Sequence, residues 1–178
     1  FTAEDGISGN IVMDVLKDQN NNTWFSTYDN GLSMKSAEGR WLNYWNDGRT
    51  GTLRNTRIWC SILREDASVY FGSSGGLFTE PDNPRYWTAA EGLPHNQVLS
   101  LEEHEGKLYI GTARGLCFLD EKQAIQVFEA IPEVKVRGIA FDEQGVLWTA
   151  SNRGVYVWDG AELQHFGEEE GLPDNSVY

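Results

Sequence analysis

Surface chemistry needs side chains that donate, accept or stack, and this chain places a distinctive set of them in short segments between apolar runs. The set comprises four arginines (Arg57, Arg114, Arg137 and Arg153), Tyr28, Asp29, His95, and the asparagines Asn10, Asn96 and Asn175. Guanidinium forks, amides and aromatic faces suit sugar hydroxyls, carboxylates and sulfates. Hydrolytic chemistry finds no such support. His95, His104 and His165 form no HExxH spacing and no close pair, and GxSxG does not occur. No catalytic residue, metal site or cofactor is implied.

Each feature also has a plainer structural reading. Asn10, Asn96 and Asn175 recur at one position of a repeat, so turn and backbone hydrogen bonding explains them well. Arg114 and Arg153 also share a repeat position, and pairing with acidic neighbours suits them as well as ligand binding. Tyr28, Asp29, Arg57 and His95 are specific to their units and are the better ligand candidates. The stretch Asp18-Gln19-Asn20-Asn21-Asn22 has the D-x-N-x-N beginning of a calcium loop but lacks the following Gly and the distant Glu, so it is expected to be a hairpin turn. The run Glu168-Glu169-Glu170 is expected to be a solvated linker. Cys60 and Cys117 sit in apolar runs and read as free thiols packed like small hydrophobes, with a bridge between them as the alternative.

The elements that must position these residues follow from a repeat. An aromatic strand followed by a Gly-apolar pair occurs four times: Trp24 to Thr27 then Gly31-Leu32, Tyr70 to Ser73 then Gly76-Leu77, Tyr109 to Thr112 then Gly115-Leu116, and Trp148 to Ser151 then Gly154-Val155. The leading aromatics are 46, 39 and 39 residues apart. Apolar anchors precede each copy: Val12 and Val15, Trp59 and Ile62, Val98 and Leu101, Val136 and Ile139, with turn residues in between. A further apolar run closes each unit, as in Trp41-Leu42-Asn43-Tyr44-Trp45 and Leu163-Gln164-His165-Phe166. Each unit is therefore four short antiparallel strands in about 40 residues, the pattern of a β-propeller blade. The fold class is all-β, with blades at 10–45, 56–88, 96–129 and 134–167 and the start of another at 175–178. A β-sandwich is the competing architecture, but an in-phase repeat argues against it. Trp24, Tyr70, Tyr109 and Trp148 are expected at equivalent, largely buried sites.

Composition agrees and excludes several classes. The 178 residues include 19 Gly, 7 Trp, 7 Tyr and 8 Phe, with 40% apolar and 23% charged residues. Turn formers and strand-favouring aromatics in that proportion suit short strands. Lys and Arg number 14 against 27 Asp and Glu, a net charge of −13. Neither a nucleic-acid phosphate backbone nor an anionic membrane surface finds a basic footprint here. No apolar run approaches the ~20 residues that span a bilayer. The opening Phe1-Thr2-Ala3-Glu4-Asp5-Gly6 is acidic and polar, so it is not a signal peptide, which is either absent or outside this chain.

The segments between units carry a resemblance. Glu91-Gly92-Leu93-Pro94-His95-Asn96-Gln97-Val98 and Glu170-Gly171-Leu172-Pro173-Asp174-Asn175-Ser176-Val177 match each other and, more loosely, Glu4 to Val12, while Asn46-Asp47-Gly48-Arg49 is a degraded copy. With Leu147-Trp148-Thr149 and Gly115 to Asp120, they resemble the two-component regulator propeller repeat over nearly the whole chain. The second unit is weakest: Arg57 stands where Asn10 and Asn96 stand. In the fourth unit Val134 does so. The resemblance implies a non-enzymatic, periplasmic or otherwise extracytoplasmic sensor propeller of a bacterial signalling protein. The output module in that family is a histidine kinase, a hybrid kinase and regulator, or a diguanylate cyclase. The implied ligand is a carbohydrate or other polar small molecule, met on the face formed by the inter-blade loops and the loops between second and third strands. That face would carry Tyr28, Asp29, Arg57, His95, Arg114 and Arg153. A propeller-type lyase similar to the virginiamycin B lyase family, drawing on His95 and Asp29, is an alternative, and a protein-docking scaffold is another.

The junction at Phe1–Val12 recurs at Phe166–Val177, offset by 165 residues. One closed four-bladed ring cannot use both copies, so the expectation is an arc of a longer array, with a closed ring as the alternative. The open blade faces of an arc would pair as a homodimer or a two-chain eight-bladed ring.

Overall fold

Four short hairpin-linked antiparallel sheets account for almost all of the regular structure. The computed structural model of the chain describes residues 1–45, 53 and 57–177. The degraded linker at 46–49 and Tyr178 lie outside the described residues; of the further blade expected to start at 175–178, residues 175–177 are described and form no strand. Among those described, sixteen strands form four four-stranded antiparallel sheets, each ordered as it runs in sequence, and the helical segments are three short 3₁₀ turns. The first blade contains β1 (Val12–Lys17), β2 (Thr23–Thr27), β3 (Leu32–Lys35) and β4 (Trp41–Tyr44). The second contains β5 (Ile58–Leu63), β6 (Val69–Ser73), β7 (Gly76–Thr79) and β8 (Tyr86–Trp87). The third contains β9 (Val98–His104), β10 (Lys107–Thr112), β11 (Gly115–Leu119) and β12 (Ile125–Val127). The fourth contains β13 (Val136–Phe141), β14 (Leu147–Ser151), β15 (Gly154–Trp158) and β16 (Leu163–Phe166). The chain divides into two compact units, Phe1–Trp87 and Thr88–Tyr178, with two blades in each.

The repeated residue types have local causes. The last residue of each second strand is Thr or Ser, and its hydroxyl donates to the carbonyl of the coming glycine: Thr27 to Gly31, Ser73 to Gly76, Thr112 to Gly115 and Ser151 to Gly154, at 2.7–2.8 Å. Gly31 and Gly154 adopt φ of +80° and +95°, and a Cβ on either would collide with a backbone carbonyl of the adjoining segment, Tyr44 or Phe166. The glycine is therefore required twice over.

The linkers are built alike. Asp5, Glu91 and Glu170 reach back to accept the N–H of Thr2, Thr88 and Gly167 at 2.7–2.8 Å. Asn10, Asn96 and Asn175 accept the N–H of the residue seven earlier (Ala3, Ala89 and Glu168) at 2.7–3.0 Å. These asparagines tie the linker to itself, as their recurrence suggested.

One strand reading changes. Every innermost strand carries a register shift near its start, with an extra residue at Met13, Trp59, Leu99 and Arg137. In the second blade the buried anchor is therefore Ile58, paired with Ser73, and not Trp59. Likewise Ser61, paired with Phe71, takes the place expected for Ile62. A one-residue slip exchanges the faces of a strand, and a bulge re-aims the extra side chain.

Within each unit the innermost strands of the two blades run side by side, β1 beside β5 and β9 beside β13. Asp14 of β1 joins the first pair by accepting both the N–H and the O–H of Ser61 at 2.6 Å. The first unit's core contains Trp24, Leu32, Leu53, Ile58, Phe71 and Phe78; the second's contains Tyr109, Leu116, Val134, Val136, Leu147 and Tyr156. Trp24, Tyr70 and Tyr109 are buried, but Trp148 is 42% exposed, against expectation. The reason lies in which way the site faces. Trp24 points to the second blade, with Phe71 at 5.4 Å, and Tyr109 points to the fourth, with Phe141 at 4.8 Å. Trp148, at the same repeat position, has no such ring against it among the described residues, and its indole N–H is bonded to Asp142.

Candidate functional site

Four backbone hydrogen bonds fix the end of the blades where the candidate residues lie. The N–H after each second strand donates to the segment just before the bulge: Tyr28 to Ile11, Ser74 to Arg57, Ala113 to Gln97 and Asn152 to Lys135, at 2.9–3.2 Å. In every blade the inter-blade segment and the loop between second and third strands are thereby clamped together at one end.

In the first unit this clamp assembles a compact group. The ring of Tyr28 meets the indole of Trp59 edge-on, with centroids 5.4 Å apart at 78°. The Arg57 guanidinium lies over the Tyr28 ring at 5.3 Å. The Trp59 indole N–H donates to the Ser74 hydroxyl at 2.9 Å, which fixes the ring. Asp29 is exposed beside them, its Oδ1 accepting from Asn30 Nδ2 at 3.0 Å. Tyr28 and Arg57 therefore come together, and Trp59 joins them. The sequence reading made Trp59 an apolar anchor of the innermost strand; the signal that would have moved it is the alignment of Ile58, not Trp59, with Val12 and Val136. The corresponding positions in the second unit are Ala113, Arg137 and Lys135, so the aromatic pair is particular to the first unit. Arg57 therefore stands level with Ile11, Gln97 and Lys135 and not, as the sequence alignment had it, with Asn10 and Asn96, the same one-residue shift that displaced Trp59.

The candidates of the second unit are held differently. Arg114 Nε donates to Glu133 at 2.7 Å, with both side chains largely exposed, a pair worth little in stability. His95 Nδ1 accepts the N–H of Gln97 at 2.9 Å and shapes its own turn. Arg153 is exposed, its backbone N–H donating to Ser151 Oγ at 3.0 Å and its carbonyl meeting His165 Nε2 at 2.5 Å. Arg137, the bulge residue, reaches the Ser176 hydroxyl at 3.5 Å. Asp18 is a turn residue: its Oδ1 accepts the N–H groups of Asn20 and Asn22, and its Oδ2 accepts from Asn22 Nδ2 and the Trp24 indole, all at 2.9 Å. Among the described residues no group of three or more His, Cys, Asp or Glu is placed to hold a metal ion, and no helix is long and apolar enough to cross a membrane.

No family model matches the chain, and no curated protein matches it. Solved structures do. The chain is similar to the extracellular domain described as that of a hybrid two-component system from B. thetaiotaomicron, with a TM-score of 0.76 and 20% identity over 96% of this chain and 24% of that one. It is similar to a surface component of the type-IX secretion system of Porphyromonas gingivalis, with a TM-score of 0.69 and 14% identity over 97% and 29%. It is also similar to virginiamycin B lyase from Staphylococcus aureus, with a TM-score of 0.66 and 12% identity over 85% and 54%. The chain spans about a quarter of the length of the first of these and about half of the lyase. At such identities the likeness is one of fold, and the four sheets are β-propeller blades.

Proposed function

We propose that this chain is part of a non-enzymatic, extracytoplasmic sensor propeller that binds a carbohydrate or other polar small molecule. The observation that carries this reading is the group formed by Tyr28, Trp59 and Arg57. It combines an aromatic surface for the apolar face of a sugar ring with a cation for hydroxyl, carboxylate or sulfate oxygens. Its second support is that the group belongs to one seam, whereas the Thr or Ser to Gly bond that shapes each blade recurs in all four. The likeness to an extracellular two-component domain agrees with a sensing role. At 12% identity the likeness to the lyase is one of fold and brings none of that enzyme's chemistry to this chain.

Titration of neutral and acidic oligosaccharides by calorimetry tests the reading. Losing a hydrogen bond to a charged group costs about 1.5–3 kcal/mol, so Arg57→Ala should weaken binding roughly ten-fold or more, with a comparable loss for Tyr28→Ala. Affinity unchanged in both variants places the site elsewhere. The same reading includes self-association through an open blade face such as the one that exposes Trp148. Light scattering that finds only monomer at every concentration, with no response to Trp148→Glu, would remove that part.

A further inference from the structure

Where the third and fourth blades meet, at the end of the strands opposite the loop clamps, an open cavity of about 250 Å³ is lined by Tyr109, Phe128, Phe141 and Trp158 and by the exposed Glu105 and Asp159. The rings meet at steep angles and do not collapse onto one another. Tyr109 lies 4.8 Å from Phe141 at 60° and 6.2 Å from Phe128 at 64°, and Phe128 lies 6.5 Å from Trp158 at 86°. His104 backs the Phe141 wall, stacked flat on it at 3.9 Å and 5°.

The matching seam of the first unit shows what blade packing alone requires. By strand pairing, Trp24, Tyr44, Leu63 and Glu80 stand where Tyr109, Phe128, Phe141 and Trp158 stand. There Trp24 stacks on Tyr44 at 27°, and a leucine and a glutamate take the remaining two positions. Phe141 and Trp158 are therefore additions that the repeat does without.

Negative charge gathers at the mouth of the cavity, with His104 behind Phe141 as the one basic side chain among the described residues of its lining. Ring faces present negative potential. Glu105 sits at the tip of the hairpin between β9 and β10, near enough to Tyr109 that its charge adds to burial in raising the phenol. Asp159 Oδ1 accepts the N–H groups of Glu162 and Ala161 at 2.8 and 2.9 Å, which hold its carboxyl below the usual range and keep it charged. Four aromatic side chains in the wall with carboxylates at the mouth suit a cation that needs no directed hydrogen bond.

We infer that the cavity walled by Tyr109, Phe128, Phe141 and Trp158 is a binding site for a quaternary ammonium group, with Glu105 and Asp159 balancing its charge. This inference is independent of the loop-face reading, since no residue is shared. Choline and tetramethylammonium are the probes, and 3,3-dimethyl-1-butanol, a neutral isostere of choline, is the control. The Trp158 indole N–H resonance reports binding. Cation–π contacts of about 0.5–2 kcal/mol predict that both cations bind saturably and the neutral isostere roughly three- to thirty-fold more weakly. Phe141→Leu, which installs the first unit's residue, should weaken the cations by about three-fold or more. Glu105→Gln, on an exposed hairpin tip, should weaken them without disturbing the fold and so keeps the test sound if Phe141→Leu unfolds. The inference is overturned if neither cation gives a saturable shift, if the isostere binds as well, or if Glu105→Gln and a folded Phe141→Leu leave the affinity unchanged.

Discussion

The indole N–H of Trp24 donates to Oδ2 of Asp18 at 2.9 Å and closes the first hairpin of its blade, and Trp148 makes the same bond to Asp142 at 3.1 Å in the fourth. In both hairpins the other carboxylate oxygen accepts two N–H groups of the turn. One aspartate thus joins the turn backbone to the aromatic that anchors the second strand. Stranding the donors of a partly buried network costs about 1–3 kcal/mol, so Asp18→Ala should lose that much in urea unfolding. Asp18→Asn, which keeps an acceptor, should lose less, and equal losses would mean that charge and not hydrogen-bond geometry matters there.

The two tryptophans should differ sharply as packing elements. Trp24 is 5% exposed and packed against Phe71, so Trp24→Ala is expected to cost on the order of 3–5 kcal/mol. Trp148, 42% exposed, should cost far less when changed to Ala. Chemical denaturation of both variants checks this, and equal losses would mean that the Trp148 face is covered in solution.

Acid should unfold the protein in a specific way. The carboxyls of Asp66, Asp120, Asp142 and Asp159 are held below the usual range, first by hydrogen bonds from Ser68, Ala124, Val146 and Glu162. At Asp18 burial pushes upward, but the bonds from Trp24 and Asn22 outweigh it. A folded value below the unfolded one gives stability that is complete above the unfolded aspartate value of about 3.9. That stability drains as pH falls through the lower folded values. Thermal midpoints across a pH series should therefore drop in that acid window, and less steeply in Asp18→Asn.

Glu102 carries the opposite sign. Burial raises its carboxyl, with the nearby His104 opposing, so the charged form is disfavoured in the folded chain. Glu102→Gln should raise the thermal midpoint at neutral pH, and the gain should shrink as the pH is lowered and the wild-type carboxyl takes up its proton. A variant less stable than wild type at neutral pH would contradict this.

Cys117 is fully buried, and burial pushes its thiol up to about 12. In a Cys60→Ser background a thiol reagent at neutral pH should label it only as fast as the chain opens. Rapid labelling under native conditions would show that the β10–β11 region is not the packed sheet described.

The sequence alone determined the blades, because strand alternation, hairpin turns and linker caps are all written within a few residues of each other. Gly31 and Gly154 mark a turn that tolerates no Cβ, and Asn10, Asn96 and Asn175 recur because each bonds the residue seven positions back. Tertiary structure decided what covers each sheet. Trp24 and Trp148 are the same residue at the same repeat position, bonded alike to an aspartate, yet one meets Phe71 and the other meets solvent. Tyr28 and Trp59 lie 31 positions apart and touch because a one-residue bulge turns the indole away from the core toward Ser74. Phe141 and Trp158 read in sequence as ordinary strand aromatics, and the gap they enclose with Tyr109 and Phe128 exists only once two sheets have packed. Period and turn chemistry are properties of one segment, whereas burial and a binding surface are properties of a pair of segments. No local pattern specifies the second member of that pair.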